Sequence, residues 1–167
     1  MQFRFVSIEK LPEPPQIHLV KGNFVHRVLE LLLANDSELR TPEAALEAFE
    51  VTKSQYESSV RFIALGLSDD ARDAFFKDSR EILNGYYRME NPRNTKVIGL
   101  ELKLEADFGK FVLGGIIDRL EYDENDQLVI SDYKTGKTPS AKFGANKMDN
   151  MHLYASLCLR VRGELPK

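Results

Sequence analysis

Residues 130–139, ISDYKTGKTP, set an acid two positions ahead of a lysine and run on into Gly136-Lys137-Thr138. Two chemistries use such groups. A phosphate-cradling loop needs a glycine five residues before its Gly-Lys-Ser/Thr triplet and a helix after it. Here position 131 is Ser, Pro139 directly follows Thr138, and nothing else glycine-rich precedes the triplet to supply an amide cradle. A nucleotide-binding loop is therefore set aside. Asp132 and Lys134 remain as the chemical pair.

On a strand, side chains two apart point to the same side. Leu128, Ile130, Asp132 and Lys134 then share a face that turns from apolar to charged. An acid and a lysine beside core residues are costly to bury without a partner. Asp118 likewise follows an apolar run, Gly114-Gly115-Ile116-Ile117. If the two strands pair across the intervening DEND turn, Asp118 and Asp132 fall near one another. Two carboxylates held close repel unless a proton or a cation lies between them, and hard oxygen donors suit Mg²⁺ or Mn²⁺. An ordinary ion pair of Asp118 with Arg119 or Lys134 would explain the same residues without a metal. Strand alternation turns Arg119 to the side opposite Asp118, where it reads as a brace.

These residues need elements to position them. GNFVHRVLELLLAN carries Val25, Val28, Leu29 and Leu32 at helical spacing. Thr41 is a natural N-cap, with Pro42 at the first helical position. Helical patterning, interrupted near Gly66, continues to about Arg88, and Asn91-Pro92 ends it. The period then changes. Ile98, Leu100, Leu102 and Leu104 alternate with more polar neighbours, as in a half-buried strand. KFVLGGIIDRLEY and QLVISDYK read as two further strands joined as a hairpin. DNMHLYASLCLRV resumes helical spacing through Met151, Tyr154, Ala155 and Cys158. Helices, an antiparallel meander and a closing helix give an α/β (α+β) domain with a small sheet.

The bulk numbers narrow the class. The chain has 167 residues, one cysteine and a formal charge of −3. One compact domain fits that length. A single Cys158 excludes an internal disulfide and a four-cysteine zinc or iron–sulfur site within this chain. No apolar stretch reaches the roughly 18–20 residues of a membrane span, and no secretory signal is evident, so a cytoplasmic protein is expected. From Ile130 onward Lys134, Lys137, Lys142, Lys147, Arg160, Arg162 and Lys167 outnumber Asp132, Asp149 and Glu164. A basic end beside an acidic body can attract a polyanion locally, although a solvated basic surface would look the same.

The run LGGIIDRLEYDENDQLVISDYKTGK resembles the nuclease core of the RecB family, within the PD-(D/E)XK superfamily. There a G-x-x-D-R segment and a D-Y-K-T-G segment lie on adjacent strands. Upstream, LPEPPQIHLVKGNFVHRVLELL is similar to the family's opening helix, in which a histidine follows a glycine and precedes Leu-Glu. Downstream, NMHLYA is similar to the helix carrying a Gln-x-x-x-Tyr motif. The likeness spans roughly residues 3–162. It implies a restriction-endonuclease-like fold: a small mixed sheet with an antiparallel meander, flanked by helices. Residues 1–167 would form one nuclease domain, cut short at both ends, with 40–90 as a helical insertion.

The resemblance also implies roles. His26, Asp118, Asp132 and the main-chain carbonyl of Tyr133 would hold Mg²⁺ or Mn²⁺. Lys134 would be catalytic beside Asp118 and Asp132. Glu101, Asn150 and Tyr154 would support, Asn150 standing where the family has Gln. Lys137, Lys142 and Lys147 would bind the DNA backbone. Taken singly, His26 could be a surface or core histidine, Glu101 a solvated acid and Tyr154 a packing residue. Ile117 replaces the superfamily's eponymous proline, a change common in the RecB branch. The expected activity is a metal-dependent deoxyribonuclease, an exonuclease on single strands or DNA ends in recombination and repair, with a helicase as partner or neighbouring domain. A catalytically inactive DNA-binding or assembly domain is the competing expectation.

Overall fold

The computed structural model describes residues 14–136 and 149–167. Helix α1 spans Ile17–Leu33, α2 Pro42–Glu57, α3 Val60–Ile63 and α4 Asp69–Met89. Strands β1 (Lys96–Asp107), β2 (Val112–Tyr122) and β3 (Leu128–Ser131) follow, and α5 spans Asp149–Arg162. The three strands form one antiparallel sheet in the order β1-β2-β3.

Local chemistry explains the helix bounds. Thr41 accepts from the Ala44 N–H, with Pro42 in the first turn, as expected. Ser59 and Ser68 cap α3 and α4 in the same way, through Phe62 and Ala71. Gly66, at φ +61°, makes the reversal between those two helices, a conformation that suits a residue without Cβ.

Two cores result. The first is helical. Phe24 of α1 lies edge-to-face with Phe49, Tyr56, Phe75 and Phe76, at ring separations of 5.1–5.8 Å. Each fully buried phenylalanine contributes on the order of 1.5–3 kcal/mol of transfer free energy. The second core joins the sheet to α5 through Leu104, Ile117, Leu120, Leu128, Leu157 and Cys158. Arg40 ties the layers together, donating from Nε to the Asn35 carbonyl and from Nη1 to the carbonyls of Pro92 and Thr95. It thereby fixes the end of α1 against the lead into β1.

Strand details differ from simple alternation. β1 has a register shift between Val97 and Gly99, and Ile98 is 38% exposed rather than lined up with Leu102 and Leu104. β3 ends at Ser131, so Asp132–Thr135 continue outside the ladder, without regular secondary structure. On β2, Ile117 and Leu120 both belong to the sheet–α5 core. Residues three apart share a side only if the pleat slips between them. The change of side falls between Ile117 and Leu120, at the level where β1 departs from strand geometry at Glu101, with φ +42°.

Candidate metal centre

Four segments converge on the seam between the two cores. α1 supplies His26, half-buried beside the buried stripe of Val25, Val28 and Leu29. One turn earlier stands Gly22, where a Cβ would come within 3.2 Å of Thr135 Oγ1. The glycine ahead of the histidine therefore has a steric reason: it lets the Asp132–Thr135 segment lie close against the helix.

β1 and β2 supply two acids. The ladder pairs Leu100 with Arg119 and Leu102 with Ile117, which sets Glu101 opposite Asp118. Glu101 has φ +42°, in the left-handed region that a residue with a side chain rarely adopts. Such backbone costs on the order of 1–3 kcal/mol and is concentrated at functional sites. Asp118 Oδ2 accepts the Tyr133 N–H at 2.7 Å and lies 3.6 Å from His26 Nδ1. Glu101 Oε1 is 4.0 Å from the same nitrogen. One ligand atom from each of His26, Glu101 and Asp118 falls within 4.8 Å of the other two.

The histidine's orientation is fixed from behind. Its Nε2 lies 2.9 Å from the Tyr133 carbonyl oxygen. A carbonyl can only accept, so Nε2 carries the proton, and the lone pair of a neutral ring sits on Nδ1, facing the acids. Metal-binding histidines show this arrangement, with the far ring nitrogen donating to a backbone oxygen.

Electrostatics agree with the geometry. Burial raises the Asp118 carboxyl above its usual range, and the neighbouring Asp132 charge adds to the rise, although the Tyr133 N–H and His26 oppose it. Glu101 is likewise raised, by burial first and then by Asp118. Two acids that resist ionising side by side form a site where a cation would be welcome. Two carboxylates and an imidazole suit a divalent ion.

The remaining expected residues sit as follows. Asp132, largely shielded, is ion-paired with Lys134, whose side chain is 60% exposed. Asp132 is not part of the close set of three, which takes in Glu101 instead. The Tyr154 hydroxyl is raised by burial and then by Asp132 and Asp118, so it lies within their field. Its ring fills the space beside Gly115, where a Cβ would meet Tyr154 Cε1 at 2.7 Å. Asn150 is exposed in the first turn of α5. Lys137, Lys142 and Lys147 lie outside the described residues.

The family model of the PD-(D/E)XK nuclease superfamily matches residues 1–167. The chain belongs to this superfamily. No curated protein and no solved structure matches it. Membership makes the protein a nuclease-type hydrolase that works with divalent metal, and the helix-flanked antiparallel sheet accords with the PD-(D/E)XK fold. Among the described residues, no helix is long and apolar enough to cross a membrane.

This PD-(D/E)XK protein also holds a second polar cluster that the sequence only hinted at. Arg119 is the brace expected of it: it donates to the Tyr133 hydroxyl, whereas Asp118 accepts from the Tyr133 main-chain N–H. Arg119 is 3% exposed, and its guanidinium grips both carboxylate oxygens of Glu90. It also donates to Glu121 at 2.8 Å, Ser131 at 3.1 Å and the Tyr133 hydroxyl at 2.8 Å. Glu121, two residues along the same strand, was findable from spacing. Glu90 and Tyr86 reach in from the end of α4 and left no local signal.

Proposed function

We propose that this protein is a divalent-metal-dependent deoxyribonuclease of RecB type, acting as an exonuclease on single-stranded DNA or DNA ends. What supports the reading is the convergence of His26, Glu101 and Asp118, from three separate elements, beside Asp132 and Lys134. Asp118, Glu101 and Nδ1 of His26 are the first donors for Mg²⁺ or Mn²⁺, with Asp132 next to them. When bound, such an ion lowers the pKa of its water and polarises a phosphoryl oxygen. The Tyr133 main chain holds Asp118 and His26 in place through its N–H and carbonyl. Lys134, exposed and tethered by Asp132, can turn its ammonium to the scissile phosphate and offset developing charge. Tyr154 borders the same opening and offers an aromatic edge to a nucleotide. The basic residues after the site would track the backbone without reading sequence. Service in recombination and repair beside a helicase follows from the RecB likeness.

The test is digestion of end-labelled single- and double-stranded DNA with Mg²⁺ or Mn²⁺, comparing wild type with Asp132→Ala and Lys134→Ala. Each variant is expected to lose on the order of 10²-fold or more in rate while staying folded. Stepwise shortening from an end is the expected product pattern. Equal cleavage in both variants would trace the activity to a contaminant and leave a DNA-binding or assembly domain as the surviving reading.

A further inference from the structure

Arg119 is an expensive residue for its location. A buried guanidinium held by carboxylates is often no more stabilising than apolar side chains of equal volume. Among the described residues its Nε is buried with no hydrogen-bond partner, so the two Nη groups alone set its orientation. Those groups are divided between two tasks. Glu90, at the end of α4, and Glu121, on β2, lock the fork in place. Nη1, besides Glu90 and the Tyr86 hydroxyl at 3.3 Å, donates to the Tyr133 hydroxyl at 2.8 Å, with the guanidinium carbon 5.5 Å from that ring's centre.

Tyr133 is the hinge of the whole centre. Its ring stands edge-to-face between Tyr86 of α4, at 6.0 Å, and His26, at 5.9 Å. Its main chain makes the two bonds that aim the donor atoms, N–H to Asp118 and carbonyl to His26 Nε2. Both bonds therefore depend on where Tyr133 as a whole residue is held. Tyr133 lies beyond the last ladder pair, Arg119 with Ser131, so no strand hydrogen bonds hold it.

We propose that Arg119 is a positioning residue for the metal centre: anchored by Glu90 and Glu121, it pins the Tyr133 ring and so fixes the residue whose N–H and carbonyl align Asp118 and His26. The α4 helix thereby takes part in assembling the site, through Glu90 and Tyr86. This rests on the reading of His26, Glu101 and Asp118 as metal donors.

The test uses Mn²⁺ affinity, read by calorimetry or by the loss of free-ion electron paramagnetic resonance signal, on wild type, Tyr133→Phe, Arg119→Lys and Asp118→Asn. Tyr133→Phe keeps the peptide and the ring and removes only the oxygen that Arg119 grips. Arg119→Lys keeps the charge and removes the fork. Both are expected to weaken Mn²⁺ binding by about 10–100-fold, the usual effect of removing support behind a ligand. A purely structural role would lower the melting temperature and leave the affinity of the folded protein unchanged. Wild-type affinity in both variants overturns the positioning role, while loss of binding in Asp118→Asn shows that the metal reading survives it. Wild-type affinity in Asp118→Asn overturns the metal reading itself and the proposal with it.

Discussion

Asp118 and Arg119 are adjacent on β2, both turned toward Tyr133, yet their surroundings are built on opposite plans. Around Arg119 the protein supplies its own counter-ions: Glu90 and Glu121 hold the guanidinium, and its hydrogen bond in turn keeps Glu90 below the usual carboxylate range against the effect of burial. Around Asp118 the acids outnumber their cations: burial raises both Asp118 and Glu101, and a neighbouring carboxylate adds to each, Asp132 for Asp118 and Asp118 for Glu101. A satisfied cluster is a strut. An unsatisfied one is a receptor, stable enough to persist only because the rest of the fold determines it.

The most forceful way to break the comparison is to remove one member from each side. Arg119→Ala leaves buried Glu121 and half-buried Glu90 without their counter-ion, an error that costs about 3–5 kcal/mol in comparable buried pairs. Asp118→Asn keeps an oxygen to accept the Tyr133 N–H and removes a repelling charge. It is expected to hold or raise stability, by up to about 0.5–2 kcal/mol, as relief of a strained functional site commonly does. Urea denaturation without divalent metal reads both. If Arg119→Ala unfolds no more easily than Asp118→Asn, the contrast between strut and receptor is wrong.

The two sides were unequally legible in the sequence. The helical stretch from residue 22 to about 88 (α1 in fact begins five residues earlier, at Ile17), the hairpin and the convergence of His26 with Asp118 could be read from spacing and resemblance, because capping and periodicity are local and the motifs are contiguous. What could not be read came from the pleat. Strict alternation put Glu101 away from the leucine face and Arg119 away from Asp118. The left-handed residue at Glu101 and the change of side between Ile117 and Leu120 break that alternation beside the centre. Such irregularities have no sequence signature when the residue is not glycine. Glu90's part was hidden for a different reason: it meets Arg119 across 29 positions of chain.

Acid titration sharpens the comparison, since the two clusters tilt stability in opposite directions. Glu90 has a folded pKa below its ordinary 4.5, so its contribution is present above that value and is lost as pH falls through the lower folded pKa. Asp118 and Glu101 have raised values, so without metal their contribution is most favourable below their ordinary pKa values and declines as pH rises through the raised ones. Melting curves across pH 3–7 (about the range where carboxylates titrate) are expected to show two differences. Glu90→Gln should lose its deficit relative to wild type at the acid end. Asp118→Asn should gain on wild type toward neutrality, and adding Mn²⁺ should erase that gain. Parallel curves for all three proteins would mean that neither cluster differs from a solvated surface.

The gentlest probe lies at the rim, where α1 meets the segment that carries Tyr133. Gly22→Ala should favour the helix by about 0.8–1 kcal/mol through backbone entropy. The added Cβ, however, would stand 3.2 Å from Thr135 Oγ1, tighter than ordinary contact by a few tenths of an ångström. The two effects oppose each other, so net stability should change by less than about 1 kcal/mol. Activity should not share that balance. The push acts on the stretch holding Asp132, Tyr133 and Lys134, and a misplacement approaching 1 Å at a reacting centre can cost up to about 10²-fold. A drop of roughly tenfold in Mn²⁺-dependent cleavage, with an unchanged urea midpoint, is the expected result. Full activity would mean that Thr135 yields alone, and that the close approach of helix and segment is packing rather than alignment.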